Sequence, residues 1–168
     1  MSKANKSNKA IKYRLYPNDE QKVMFAKTFG CCRFVYNQLL ALQKQRYKDG
    51  ESHLSKLKSN EFATRTLKKD YDFLKEIDKF AVSNAVFHLA DAYDRFFKKQ
   101  NHFPKFKSKR KSKKSYTTNF TNNNILIGKN VIKLPKVGMV KAVIHKLPKD
   151  DWKLKSVTVS QDGVGNYF

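Results

Sequence analysis

Apolar and polar positions alternate at the start of the chain, with Ile11, Tyr13 and Leu15 set against Lys12, Arg14 and Tyr16. This two-residue period predicts an N-terminal strand over residues 9–16 with one buried face. Pro17 and Asn18 end it. After Asp19 the period lengthens: Phe25, Phe29, Cys32, Tyr36 and Leu39 advance by fours and threes, which places them on one helical face. Gly30 interrupts that face and predicts a short helix followed by a longer one reaching Lys48, a helix-turn-helix in outline. Asp49-Gly50 marks a turn, and residues 53–69 are polar and helix-compatible. A further helix is predicted with Asp78 as N-cap, a core stripe of Val82, Val86, Leu89, Tyr93 and Phe96, and Lys98 and Lys99 at the negative end of its dipole. Ile125 to Leu134 then reads as a hairpin turning at Gly128 to Asn130. Residues 140–145 and 154–160 read as strands, and Asp162-Gly163 turns the chain into Asn166-Tyr167-Phe168.

One strand before the helices and several after them predict an α+β fold: a β-barrel whose first connection carries an inserted helical module of about 95 residues. The expected divisions are 1–17 for the first barrel strand, 18–100 for the helical module, and 101–168 for a basic segment and the remaining strands. Two lobes should meet at the basic segment. Because the last residues look like the beginning of a strand, the sequence reads as cut.

Charge changes the picture. The 168 residues hold 36 Lys and Arg against 14 Asp and Glu, a net charge of +22, so a nucleic-acid partner leads. Hydrophobic residues at 40% are enough to close a core, which argues against global disorder. No apolar run approaches the roughly 20 residues of a membrane span, and the opening residues lack a signal-peptide core. A cytoplasmic protein is expected, nucleoid-associated when bound, with no membrane partner. The adjacent Cys31 and Cys32 lack further ligands at zinc spacing, so reduced, partly buried thiols are expected.

The charge concentrates between Lys98 and Lys114, where nine Lys or Arg occur with no Asp or Glu. Lys105, Lys107, Lys109, Arg110, Lys111, Lys113 and Lys114 can neutralise several phosphates, with Phe103, Phe106 and Tyr116 as candidate stacking rings. An exposed basic linker is the plainer alternative. Beyond them, Tyr116 to Asn124 supplies Thr and Asn side chains suited to base edges or 2′-hydroxyls, or to satisfying their own loop backbone. No catalytic residues and no metal site are predicted. The carboxylates sit mostly among Lys and Arg on helices, Asp150-Asp151 lacks a third ligand, the four histidines are scattered, and no glycine cluster could cradle phosphate.

The segments KYRLYPN, EQK, GCCRFVYN, EIDKFAV, HFPKFKSKRKSKKSYTTNFTNNN, IKLPKVGMVK and KSVTVS, in that order, resemble the N-terminal half of TnpB (OrfB) proteins of insertion sequences. Those are transposon-encoded, RNA-guided DNA endonucleases. The resemblance implies that the strands form an oligonucleotide-binding-like wedge barrel and the helices a recognition lobe. Its partners would be a guide RNA, its heteroduplex with target DNA, a short target-adjacent DNA motif, and the rest of the nuclease chain. Matching the family's motif, Lys79 and Phe80 at a helix start and Thr121 and Asn122 in a loop would read that DNA motif. Ser83, a shorter side chain, stands where relatives often carry Gln, so the resemblance does not carry over the exact motif sequence. Lys105, Lys107, Lys109 and Arg110 would grip RNA or heteroduplex backbone. The family's divalent metal belongs to a RuvC-like nuclease domain whose acidic strand and zinc ribbon do not occur before Phe168, so no cofactor is expected here and the chain should bind without cutting. Rival expectations are an RNA-independent helix-turn-helix transposase fragment, a basic RNA or protein interaction factor, and a metal-dependent nuclease confined to these residues. Oligomeric state is left open.

Overall fold

The computed structural model describes residues 6–168. Strand β1 (Arg14–Tyr16) leads into helix α1 (Asp19–Lys48) through Asn18. Asn18 closes a capping box: its side chain accepts from the Gln21 amide at 2.9 Å, and the Gln21 side chain accepts from the Asn18 amide at 3.0 Å. Gln21 also donates to the Met139 carbonyl at 2.8 Å, fixing the helix start against the sheet. A helical run follows, made of α2 (Lys56–Glu61), a π-helical turn (Phe62–Leu67) and α3 (Lys68–Asp70). After a 3₁₀ turn (Asp72–Lys75) comes α4 (Lys79–Phe97), packed along α1.

Five strands complete the fold: β2 (Lys114–Asn119), β3 (Leu126–Ile127), β4 (Val131–Leu134), β5 (Gly138–Val143) and β6 (Ser156–Gln161). All pairings are antiparallel, in the orders β1-β5-β4-β3 and β2-β6. Residues 166–168 bridge the two groups. The Leu15 amide donates to the Tyr167 carbonyl at 2.9 Å, and Ser160 and Phe168 exchange amide–carbonyl bonds at 2.9 Å. The turn that makes this return possible has Asp162 accepting from the amides of Val164 and Asn166.

Helices and strands share one hydrophobic core. Phe25 of α1 lies 6.4 Å from Phe29, 6.2 Å from Tyr116 of β2 and 5.5 Å from Tyr167, centroid to centroid. The α1 stripe is buried as its spacing predicts, as are Val82, Val86, Leu89 and Tyr93 of α4. Burying such side chains is worth roughly 1.5–3 kcal/mol each, which is what holds two long helices against short strands.

Four expectations are corrected. No break occurs at Gly30: α1 runs unbroken for 30 residues, and the predicted turn is absent. A Cβ at Gly30 would meet only Arg33 Nη2, at 3.9 Å, so neither backbone nor packing departs from a helix there. A mid-helix glycine costs about 0.5–1 kcal/mol, which the buried stripe on either side outweighs. The N-terminal strand is shorter than residues 9–16. The polar stretch from Lys114 is a strand, because Tyr116 and Thr118 point inward while Ser115, Thr117 and Asn119 stay partly exposed. The strands do not close into a barrel among the described residues. The outer edge of β2 is capped instead: Asn84 of α4 donates to the Thr117 carbonyl and Asn124 to the Asn119 carbonyl, both at 2.9 Å. At the other edge, β3 offers only two residues.

Candidate nucleic-acid interface

Helix α4 and strand β2 are joined by polar contacts that their sequences do not advertise. Asp78 occupies the N-cap position of α4, but its side chain makes no cap. Its buried carboxylate instead accepts from the Thr118 hydroxyl. Two turns on, Asn84 donates to the Thr117 carbonyl and, at 3.1 Å, to Asn119 Oδ1. These bonds hold the first turns of α4 against the end of β2. The turn that follows β2 leaves the strand from the end that Asp78 and Asn84 hold.

That turn is built on Asn124, which accepts from the Thr121 amide at 2.8 Å and donates to the Asn119 carbonyl. Asn122 and Asn123 have φ of 47° and 56°, a left-handed conformation that Asn tolerates better than most residues. Among the described residues, the Asn122 and Asn123 side chains have no hydrogen-bond partner, and Thr121 and Asn122 are exposed. One of the open alternatives is therefore divided: Asn124 satisfies its own loop, while its neighbours are left to solvent or a ligand. The exposed Lys79 ammonium lies 5.1 Å over the half-buried Phe80 ring. The amides of Lys79 and Phe80 have no acceptor among the described residues, so the positive end of α4 is uncovered.

The basic stretch is pinned at both ends. Asn37 of α1 donates to the Lys107 carbonyl at 2.9 Å and accepts from its amide at 2.8 Å. Ser108 and Ser112 close a turn: the Ser108 amide donates to Ser112 Oγ and the Lys111 amide to Ser108 Oγ. Lys105, Lys109, Arg110, Lys111, Lys113 and Lys114 are exposed on this scaffold, and none forms an ion pair among the described residues. Phe106 is 52% exposed, with the Lys44 ammonium 5.1 Å from its ring. Phe103 stands edge-on to Tyr93 and Phe96 at 5.5 and 5.2 Å, leaving part of its ring accessible.

Two of the expected binding residues do something else. Tyr116 is no stacking platform: it is 3% exposed, wedged against Phe25 and Phe29, with burial pushing its phenol well above the ordinary range. Its position on the inward face of β2 decides this. Lys107 is half-buried, its ammonium 4.2 Å over the Tyr36 ring and its pKa lowered by desolvation. Its primary contact is α1.

Sequence reasoning missed Asn37 and Asn84, two of the three amides that position these elements; the third, Asn124, takes the loop-satisfying role, one of its two expected alternatives. It also missed Arg33 and His88, which face the basic stretch across a cleft between α1, α4 and β2. Asn84 carried a weak signal as an amide beside the apolar stripe. Arg33 and His88 carried none. Cys31 and Cys32 are buried free thiols, and burial pushes Cys32 up to about 12, so it stays protonated and donates weakly to the Ala81 carbonyl.

Residues 5–52 match a family described as a helix-turn-helix domain, of the OrfB type; in this chain the described part of that range forms β1 and α1. A Streptomyces pristinaespiralis protein provisionally named an RNA-guided DNA endonuclease is 30% identical over 162 residues, 95% of this chain and 40% of that protein. InsQ of Escherichia coli, with the same provisional activity in its name, is 30% identical over 106 residues, 60% of this chain and 25% of its own length. The virulence protein VsdF of Salmonella dublin is 32% identical over 111 residues, 60% of this chain but 93% of VsdF. The chain thus spans well under half the length of the two endonuclease-named relatives. It belongs to the TnpB/OrfB family of transposon-associated proteins.

Proposed function

We propose that this chain is the nucleic-acid-gripping part of a TnpB-like RNA-guided DNA endonuclease. In this reading the cations of residues 105–114 hold the guide RNA and its heteroduplex by their backbones, with Phe106 and the free part of Phe103 stacking on unpaired bases. Lys79, Phe80, Ser83, Thr121 and Asn122 read the short DNA motif beside the target. The strands serve as the oligonucleotide-binding-like wedge and the helices as the recognition lobe. Cleavage, with its divalent metal, falls to a nuclease domain outside these residues, and the work is intracellular.

The reading is supported by an uncovered helix start and, beyond the strand bonded to that helix, a turn with two unpartnered asparagine side chains, on the same molecule as a pinned, uncompensated row of cations. Amides and short side chains can approach base edges closely, while the cations need only meet phosphate. The break at Gly30 through which an RNA-independent helix-turn-helix fragment would read DNA is absent, while the helix-turn-helix family match of residues 5–52 keeps DNA binding by this region in view.

A salt titration tests the proposal. Binding is followed by fluorescence anisotropy with RNA transcribed from the transposon end adjoining the gene and with a scrambled RNA of equal length. The expected result is a preference for the transposon RNA that persists as salt rises. Equal affinities with equal salt slopes would reduce the chain to a polycation and sink the reading.

A further inference from the structure

The cleft between α1, α4 and the start of β2 has an apolar floor, Phe29 and Ala85, and a rim of Arg33, His88, Lys107, Lys113 and Lys114. No Asp or Glu lines it, and none of its cations is in an ion pair among the described residues. Two carboxylates lie outside the lining with partners of their own: Asp91 of α4 is 3.6 Å from Lys56, and the buried Asp78, whose charge acts on Cys32 and Tyr116, is bonded to the Thr118 hydroxyl. Because the Phe120 amide bonds across to the Lys155 carbonyl, the amides of Ser115 and Thr117 must point away from β6, toward α4. They add neutral donors on the cleft side, where the Thr117 carbonyl is already taken by Asn84. A gathering of cations with no carboxylate in its lining is relieved when an anion enters it.

We propose that this cleft seats one backbone phosphate of the bound nucleic acid, clamped by Arg33 from α1 and Lys113 from the basic loop, with the His88 imidazole as a third donor. The proposal deepens the nucleic-acid reading above and rests on it. A phosphate suits the site because its oxygens can take several donors at once, and a guanidinium can meet two of them together. Continuity with the exposed cations from Lys109 to Lys114 favours a phosphate carried on a chain.

His88 makes the seat sensitive to pH. His88 is exposed on its outer side; desolvation of its cleft side, with Lys107 adding to it and Asp91 opposing it, lowers its pKa in the free protein and favours the neutral ring. The charged groups that line the cleft with it are Arg33 from α1, Lys107 and Lys113 from the loop, and Lys114 from β2, while Asp91 acts on it from its own helix. An entering phosphate stabilises the imidazolium and raises that pKa, so binding takes up a proton and strengthens as pH falls.

The test uses the full chain with labelled histidines. Imidazole resonances are followed from pH 8 to 5.5 alone, with a 20-nucleotide RNA, with inorganic phosphate and with polyglutamate, and RNA affinity is measured across the same range. RNA should move the His88 midpoint upward while His53 and His145 hold still. Affinity should rise several-fold between pH 7.5 and 6, and His88→Gln should flatten that rise. Arg33→Gln should weaken RNA binding about tenfold and shallow the salt slope by about one. Lys113→Gln, at an exposed position, carries the same expectation if Arg33→Gln perturbs folding. Unchanged slopes in both variants with an unmoved His88, while the wild type binds RNA, overturn the phosphate seat and leave the wider reading standing. A His88 response to inorganic phosphate or polyglutamate with none to RNA also overturns it. If the wild type binds no nucleic acid, the functional reading itself falls.

Discussion

Residues 1–94 and residues 95–168 carry the same number of cations, 18 Lys and Arg each, but 11 Asp and Glu against 3. In the first part acids and bases meet. All six ion pairs among the described residues lie between Asp19 and Asp91. Such surface pairs add little stability, about 0–1 kcal/mol, yet they neutralise the field around the helices. In the second part the cations stand largely on a pinned loop and on strand faces, and none of them forms an ion pair among the described residues. The comparison teaches that the excess charge is placed rather than spread, and that repulsion is tolerated where an external anion can relieve it.

The sharpest way to break this comparison is to remove the uncompensated charge. Replacing Lys109, Arg110, Lys111, Lys113 and Lys114 together by Gln should weaken nucleic-acid binding about a thousandfold at physiological salt and shallow the salt slope by about four. An unchanged slope would mean that these cations never meet phosphate. The next effect separates two aromatics of that half. Tyr116→Ala should cost about 3–5 kcal/mol in urea denaturation, as a core truncation. Phe106→Ala should leave stability unaltered while weakening single-strand binding by about 1–3 kcal/mol. The reverse outcome would restore Tyr116 as a stacking residue.

A smaller contrast lies within one turn. Asn122→Gly should reduce affinity for motif-bearing DNA about tenfold with little change in stability, because glycine accepts the left-handed backbone there and the Asn122 side chain supports nothing else among the described residues. Asn124→Ala should instead lower stability by about 1 kcal/mol, because it removes the bonds to Thr121 and Asn119. Smallest of all, Glu76→Gln should shift the unfolding free energy by no more than about 0.5 kcal/mol, although it breaks the 2.9 Å pair with Lys27. A larger loss would show that the helical half depends on its ion pairs.

The predicted stripes on α1 and α4 are buried where spacing puts them, and the hairpin of β3 and β4 turns at Gly128 to Asn130 as its residues suggest. These features follow from periodicity and turn chemistry, which act over a few residues. Gly30 misled because a glycine's cost is local while the packing that overrides it spans both sides of the helix. Tyr116 misled because its neighbours are polar on both sides, so nothing local distinguished a ring turned into the core from one turned to solvent.

By itself the sequence determined the outline of a first strand, helices and later strands, the buried faces of the two long helices and the excess of positive charge, since each depends on residue type and spacing alone. Tertiary structure decided that Asp78 gives up capping for Thr118, that Asn84 covers the edge of β2, and that Arg33 and His88 face Lys113 across one cleft. Those outcomes join residues that are tens of positions apart. They depend on which backbone donors and acceptors remain unpaired once the core has closed, and that is settled only when helix and strand are packed together.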